Sequence, residues 1–219
     1  MVRLEGASVA RGKTQMLGPV DLFLGREGVT VLIGPNGAGK TTLLKLLHGL
    51  EPPRGGKVHW DQELSQAFVF QRPVMLRRSV RENLALPLQL QGRTGNVEEM
   101  AERLGLSALL DTHAPRLSGG EAQKLALGRA LMTAPDVLFL DEPTANLDGP
   151  TVAAIEDILL GLAQGGTRLI LATHAMGQAR RLATEVLWVA GGRVSGPYAT
   201  PGFFDAPPEE ARAFMEAQA

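Results

Sequence analysis

The residues with the most specific chemistry form the segment GPNGAGKT at positions 34–41. This segment fits the phosphate-loop pattern G-x-x-x-x-G-K-[ST], and it lies between the apolar run VTVLIG and a helical pattern. Glycines let backbone N–H groups turn towards phosphate oxygens, while Lys40 can reach the β- and γ-phosphates and the Thr41 hydroxyl can bind Mg²⁺. The pattern therefore predicts a nucleoside triphosphate site, with contacts from Gly34, Pro35, Asn36, Gly37, Ala38, Gly39, Lys40, Thr41 and Thr42.

A pair of acidic residues ends a second apolar run, DVLFLDEP at positions 136–143. Open α/β sheets bind their ligands at the carboxyl ends of strands. We therefore expect Asp141 to hold Mg²⁺, directly or through water, and Glu142 to orient and polarise an attacking water. The alternative is that two surface acids simply end a strand.

A second anion site is indicated by RLSGGEAQKLALGRAL at positions 116–131, where Ser118, Gly119 and Gly120 open an amphipathic helical pattern. The first N–H groups of a helix have no partner within it, and the helix dipole favours negative charge there. Ser118 with Glu121 three residues later also fits a capping box, which explains the serine without a ligand. The residues alone leave both interpretations open.

The composition limits the classes of protein that this chain can represent. Its 219 residues suit one core domain, or a core domain with a smaller subdomain inserted. With 22 basic and 23 acidic residues, no global field favours nucleic acid, and the absence of cysteine excludes disulfide and thiolate chemistry. The first residues lack the apolar core of a secretory signal, and no apolar run reaches the ~20 residues that span a bilayer. We expect a cytoplasmic protein.

The elements that must position these motifs follow from hydrophobic patterning. Short apolar runs that end at glycine, proline or polar residues predict buried strands at 29–34, 67–71, 136–143 and 167–174. Helical patterns occur at 40–49, 119–132, 150–163 and 175–184. This alternation predicts an α/β fold with a parallel central sheet.

Three regions depart from the alternation. The first has strand patterns without helices, which predicts an antiparallel β layer from 2–9, 18–24 and 57–60. The second is helical at 79–91 and 97–110 with a turn between, which predicts an inserted helical subdomain at 72–117. The third, from residue 200 onwards, predicts a proline-containing turn and then a short helix.

Taken in order, the motifs resemble the nucleotide-binding subunit of an ATP-binding-cassette (ABC) transporter over essentially the whole chain. Besides the two motifs above, FQRP places Gln71 after a strand, LSGGE is similar to the family's signature sequence, ANLD at 145–148 resembles its D-loop, and ATH ends at His174. The resemblance implies a P-loop NTPase cassette as one domain over 1–219. Residues 1–71 and 118–219 would form its catalytic core, and 72–117 its helical subdomain.

The same resemblance implies the ligands and further roles. ATP and Mg²⁺ are the expected cofactors, with Thr41, Gln71 and Asp141 near the metal, Glu142 as the catalytic carboxylate and His174 as the γ-phosphate sensor. Family cassettes dimerise head to tail, so Ser118, Gly119 and Gly120 would cover the ATP of a second subunit. Asp148 would lie at the dimer seam, although it also fits a helix N-cap.

One position departs from the family pattern. Family members usually carry an aromatic residue after the first strand that stacks on adenine, whereas ASVARGKTQ has none. We expect Arg11 to take this place, because a guanidinium plane can stack on a base.

The expected partners follow from the family. A transmembrane permease would dock on a groove lined by PVMLRRSV at 73–80, which also fits ordinary subdomain core, and Arg77 and Arg78 would pair with its acidic residues. The later motifs resemble importers of oxyanions such as tungstate and phosphate, which use an extracytoplasmic binding protein. The cassette, expected as a homodimer, would lie on the inner face of the cell membrane.

Alternative functions remain in view. A polar amino-acid importer or a small export cassette would have the same motor chemistry. A non-transport ATPase of chromosome maintenance is disfavoured, because the 46 residues from 72 to 117 leave no room for a long coiled coil. No nucleic-acid partner is expected.

Overall fold

The computed structural model describes residues 1–217. The strands are β1 Val2–Arg11, β2 Thr14–Leu24, β3 Val29–Ile33, β4 Gly55–Trp60, β5 Gln66–Val69, β6 Val137–Asp141, β7 Arg168–Thr173, β8 Glu185–Ala190 and β9 Arg193–Ala199. The helices are α1 Lys40–His48, α2 Val80–Leu90, α3 Val97–Arg103, α4 Gly119–Leu131, α5 Gly149–Gln164, α6 Met176–Leu182, α7 Thr200–Asp205 and α8 Glu209–Glu216. Short 3₁₀ turns occupy Ser107–Leu109 and Ala114–Arg116.

The central sheet has six strands in the order β5-β6-β7-β3-β8-β9. The four predicted strands are confirmed as parallel neighbours, and β8 pairs parallel to β3. The predicted parallel core sheet is confirmed, and one antiparallel strand is added at its edge, where β9 pairs with β8. Only Gly191 and Gly192 separate these strands, and both have positive φ, as a tight hairpin turn requires. A parallel return would need a crossover of a dozen or more residues.

The second sheet has the order β2-β1-β4 and is antiparallel throughout, which confirms the predicted β layer. It packs with α1 on one face of the central sheet, where Leu32, Phe139 and Ile170 point. The alternate residues Val31, Leu138 and their neighbours face the helices on the other side. Because both faces of the central sheet are covered, its inner strands are mostly apolar, with Thr30 and Arg168 as buried polar exceptions.

The inserted region is helical as predicted, and its helix α2 packs against α4. The contact is close: a Cβ at Gly128 of α4 would overlap the side chain of Leu104. Helix α4 thus contacts both the insertion and β5. The division of the chain at residues 72 and 118 stays a prediction.

The C-terminal region differs in detail from the expected turn and helix. Residues 200–205 form the helix α7 rather than a turn, and Pro201 lies in its first turn, where its missing N–H costs nothing. The predicted short helix is present as α8 over Glu209–Glu216, and the last two residues of the predicted segment, 218–219, lie outside the described residues. Among the described helices, none is long and apolar enough to cross a membrane.

Candidate functional site

The glycine-rich loop joins β3 to α1 and depends on glycine for two different reasons. A Cβ at Gly34 would overlap the carbonyl oxygen of Val189 in the neighbouring strand β8. Gly39 has φ 110°, a left-handed conformation that residues with a Cβ rarely adopt, and it forms the N-cap of α1. The loop therefore presents its backbone at the N-terminus of α1, where anions bind favourably.

Lys40 is held against this loop. Its Nζ donates to the carbonyl oxygens of Gly34 at 2.7 Å and Pro35 at 3.1 Å, and its side chain is only 6% exposed. Burial lowers the pKa of Lys40, an effect that the nearby carboxylates of Glu142 and Asp141 oppose. A buried ammonium with carbonyl partners suits a group that meets the negative charge of a phosphate.

Asp141 and Thr41 bring a carboxylate and a hydroxyl together at the end of β6. The Thr41 hydroxyl donates to Asp141 Oδ1 at 2.9 Å. Burial raises the pKa of Asp141, and the hydrogen bond from Thr41 partly offsets that shift. Oxygen donors of this kind are the ligands that Mg²⁺ accepts beside nucleotide phosphates, so the residues present fit the expected metal.

Glu142 is the centre of a cluster that three loops assemble. Its Oε2 accepts a hydrogen bond from Gln71 Nε2 at 3.1 Å and lies 3.1 Å from His174 Nδ1. Its Oε1 lies 4.0 Å from Lys40 Nζ. These side chains follow β5, β6 and β7, which are neighbours in the sheet, so parallel strands deliver them to one edge. An oriented carboxylate in this position can polarise water.

The backbone of Glu142 is strained. It has φ 45°, and Asn146 four residues later has φ 60°. A left-handed conformation at a residue with a side chain costs on the order of 1–3 kcal/mol and persists only where its surroundings fix it. Here the Glu142 N–H donates to the Ala172 carbonyl at 2.9 Å, so the neighbouring strand holds the residue in place.

A cleft of about 540 Å³ unites the loop with the Glu142 cluster. This volume is in the range of small-molecule sites. Besides the predicted residues, Met16, Ala145 and Asn146 line it, and sequence patterns alone had not indicated Met16. The full lining is Met16, Asn36, Gly37, Ala38, Gly39, Lys40, Thr41, Thr42, Gln71, Glu142, Ala145, Asn146 and His174.

Arg11 lies outside the cleft. Its Nη2 is 3.4 Å from Glu51 Oε2, and it does not contribute to the cleft lining within residues 1–217. The stacking role expected for Arg11 stays a prediction, and Met16 is the largest apolar side chain among the described residues that line the cleft.

The SGGE turn forms the predicted capping box. Ser118 Oγ accepts from the Glu121 N–H at 3.4 Å, and the Ser118 N–H donates to Glu121 Oε2 at 2.8 Å. Hydrogen bonds from the Ser118 hydroxyl and N–H lower the pKa of Glu121. Within the described chain, Ser118, Gly119 and Gly120 do not line the cleft.

Asp148 caps the N-terminus of α5, as one of its two interpretations predicted. Its Oδ1 accepts from the Thr151 N–H at 2.8 Å. A Cβ at Gly120 would lie 3.1 Å from the Thr151 methyl group, so the starts of α4 and α5 are adjacent. By contrast, a Cβ at Gly119 would meet no described atom within 4 Å.

Comparison with known proteins agrees with this geometry. The family model described as ABC transporter matches residues 17–145. The tungstate uptake system ATP-binding protein TupC of Peptoclostridium acidaminophilum is 39% identical over 188 residues, which cover 80% of this chain and 86% of that protein. The methionine import ATP-binding protein MetN of Bradyrhizobium diazoefficiens is 36% identical, with 89% of this chain and 64% of that protein covered.

A solved structure extends the comparison to three dimensions. A dimeric ATP-binding cassette in a post-hydrolysis state, bound to ADP and Pi, superposes with a TM-score of 0.83 at 25% identity, covering 91% of this chain and 99% of that one. The chain belongs to the ABC transporter family and is an ATPase of its ATP-binding-cassette type.

Proposed function

We propose that this chain is the ATP-hydrolysing motor of an importer that takes up a small oxyanion, tungstate or phosphate. The observation that carries the motor assignment is the Glu142 carboxylate, held by Gln71 and His174 at the edge of a glycine-loop cleft. The oxyanion assignment rests on similarity to a tungstate uptake protein.

In this proposal each side chain of the cleft has one task. Lys40 and the loop N–H groups bind the β- and γ-phosphates, and Thr41 and Asp141 hold the metal, with Gln71 beside it. Mg²⁺, when bound, neutralises phosphate charge. Glu142 accepts the proton of the attacking water, and His174 contacts the γ-phosphate. The remaining predicted contacts, Pro35 to Ala38 and Thr42, belong to the loop and its helix.

A second copy of the chain completes the site. The Ser118 hydroxyl and the N–H groups of Gly119 and Gly120 lie outside this chain's own cleft, which supports a role at a partner's ATP. Asp148 would then position the opposite site while it also caps α5. The related cassette of known structure is dimeric.

The proposed permease surface lies beside Gln71. Val74 is 66% exposed and Phe70 is 41% exposed, and both border a groove of about 220 Å³ between β5, Pro87 and α4. Met75 packs against the core instead, so we propose that the segment 73–80 contributes to the core as well as to the docking surface. Arg77 and Arg78 add positive charge, which suits an apolar helix with acidic residues.

The proposed permease surface also implies where the cassette is located in the cell. The cassette lies on the inner face of the cell membrane beneath its permease, while an extracytoplasmic binding protein selects the solute. A second candidate solute is an amino acid, because a methionine import protein is 36% identical to this chain.

The test is solute uptake in cells whose own copy carries Lys40→Ala, with Lys57→Ala on the exposed strand β4 as the matched control. We expect Lys40→Ala to abolish tungstate uptake, while Lys57→Ala retains it. Loss of phosphate uptake alone would move the solute to phosphate, and loss of methionine uptake alone would replace the oxyanion by an amino acid. Unchanged uptake of all three would contradict the importer assignment for these solutes.

A further inference from the structure

Two segments leave neighbouring strands of the central sheet beside the cleft. Residues 142–148, here called the acidic segment, follow β6 and lead into α5. His174 and Ala175 follow β7 and lead into α6. The segments meet at the cleft, where Glu142 lies 3.1 Å from His174. A second contact joins them through Gln178, a buried residue of α6.

Gln178 is only 2% exposed, and its amide nitrogen makes both of its contacts. Nε2 donates to Thr144 Oγ1 at 2.8 Å and to Glu156 Oε1 at 3.3 Å. Glu156 of α5 is itself buried and receives two hydrogen bonds from Arg181, from Nε at 2.6 Å and from Nη2 at 2.8 Å. A fixed carboxylate therefore sets the direction of the Gln178 amide.

This orientation leaves Gln178 Oε1 buried without a hydrogen-bond partner among residues 1–217. Rotation of the amide would turn this oxygen towards the Glu156 carboxylate, which repels it. A buried acceptor without a partner destabilises a fold, so stability alone would favour an apolar side chain of similar length. The presence of an amide at this position is better explained by the hydrogen bond that its nitrogen donates to Thr144.

Thr144 controls the backbone that carries the catalytic carboxylate. It lies two residues after Glu142, whose φ of 45° persists only where surrounding contacts fix it. The turn continues with hydrogen bonds from the Ala145 N–H to the Glu142 carbonyl at 3.2 Å and from the Leu147 N–H to the Thr144 carbonyl at 3.4 Å. A shift at Thr144 therefore moves Glu142 relative to His174.

We propose that Gln178 is a positioning residue for ATP hydrolysis. It holds the acidic segment to α6 through Thr144 and so keeps the Glu142 carboxylate within hydrogen-bonding distance of His174. The proposal rests on the ATPase activity and on no assumption about the transported solute. It also makes α6 the element through which a movement of the His174 loop reaches the acidic segment.

The first test compares Thr144→Val with Thr144→Ser in steady-state ATP hydrolysis by the full chain. Valine removes the acceptor at nearly constant volume, whereas serine keeps it. We expect Thr144→Val to lower kcat about tenfold, since small misplacement of a catalytic group is costly, while KM for ATP stays within about twofold. Thr144→Ser should retain a kcat near that of the unchanged chain.

The second test uses Gln178→Met, which removes both the donor and the unpartnered acceptor. We expect kcat to fall as in Thr144→Val, with a Tm that is unchanged or higher by roughly 2 °C. A residue that only stabilised the fold would lower Tm together with activity. The double variant should lose no more activity than either single one, because both remove the same contact.

Three results would overturn the proposal. The first is a kcat for Thr144→Val or Gln178→Met equal to that of the unchanged chain. The second is an equal loss in Thr144→Ser and Thr144→Val, which would assign the effect to packing. The third is a fold-loss of kcat in the double variant that equals the product of the two single fold-losses, which would show that the residues act independently.

Discussion

The Glu142 cluster and the SGGE turn are both parts of this cassette where anions are expected, yet they are built differently. Glu142 has partners from two other loops and a strained backbone, and it lies beside the buried Lys40. The side-chain hydrogen bonds of the SGGE turn form a capping box, and among residues 1–217 the turn does not line the cleft. One chain thus organises the first site by itself, whereas the role proposed for the second depends on a partner's ATP.

The largest effect is expected from a substitution that disables the Glu142 cluster. Glu142→Gln keeps the volume and the hydrogen bond to Gln71 but removes the base, so we expect ATP turnover to fall about 10²–10³-fold. Binding of ATP should persist, because the glycine loop and Lys40 are untouched. Phosphate release and nucleotide affinity are the two measurements. A turnover within twofold of the original would remove Glu142 from the catalytic role.

The next substitution disables the SGGE turn and leaves the Glu142 cluster unchanged. Ser118→Arg places a long cationic side chain at the start of α4, which would fill the space that a partner's ATP needs. We expect single-chain nucleotide affinity to be unchanged and ATP-dependent dimerisation to be lost, as measured by sedimentation with and without ATP. Lys124→Arg on the same helix is the control for added bulk. Normal dimers in Ser118→Arg would refute the partner role of this turn.

The two regions should also differ in how pH affects stability. Burial raises the pKa of Asp141 above its ordinary value of 3.8, so its charged form destabilises the fold as pH rises through the folded pKa. Asp141→Asn should therefore raise the unfolding free energy near pH 7 by roughly 1 kcal/mol, and by little near pH 3. Thermal unfolding at both pH values measures this. A lower Tm at pH 7 would contradict it.

Glu121 should behave in the opposite way. Hydrogen bonds from Ser118 hold its pKa below the ordinary 4.5, so the stabilisation is present above that value and is lost as pH falls through the folded pKa. Ser118→Ala should cost about 1 kcal/mol of unfolding free energy near pH 7, and less near pH 3. Urea unfolding of Ser118→Ala against the unchanged chain tests this. An equal loss at both pH values would mean that the cap does not depend on the charge of Glu121.

The smallest effect concerns the base end of the cleft. Met16 lines it, and no aromatic residue of the described chain does. Met16→Tyr adds an aromatic ring on which a base can stack. Such a contact contributes about 0.5–1.5 kcal/mol of binding free energy, so ATP affinity should rise a few-fold. Arg11→Ala, at the ion pair with Glu51, should leave affinity unchanged. Weaker ATP binding in Arg11→Ala would instead support the stacking role first expected for Arg11.

Sequence patterns predicted the glycine loop, the acidic strand end and both helix caps because each is a local feature. The backbone N–H groups that approach a phosphate come from consecutive residues, and a cap joins residues three apart. The strands β3, β6 and β7 were predicted for a similar reason, since burial on both faces makes each of them a mostly apolar run. The hairpin of β8 and β9 was missed, although its Gly-Gly turn was a usable signal.

What the sequence by itself determined about this protein was therefore the family of chemistry, carried by short motifs with fixed spacing. Only the tertiary structure decided which distant residues meet. Gln71, Glu142 and His174 come together because β5, β6 and β7 are adjacent parallel strands. Lys40 joins them because β3 lies beside β7, out of chain order. Met16 reaches the cleft and Gln178 reaches Thr144 through packing between elements far apart in sequence. Such contacts depend on how whole sheets and helices pack, and no local pattern of residues encodes that arrangement.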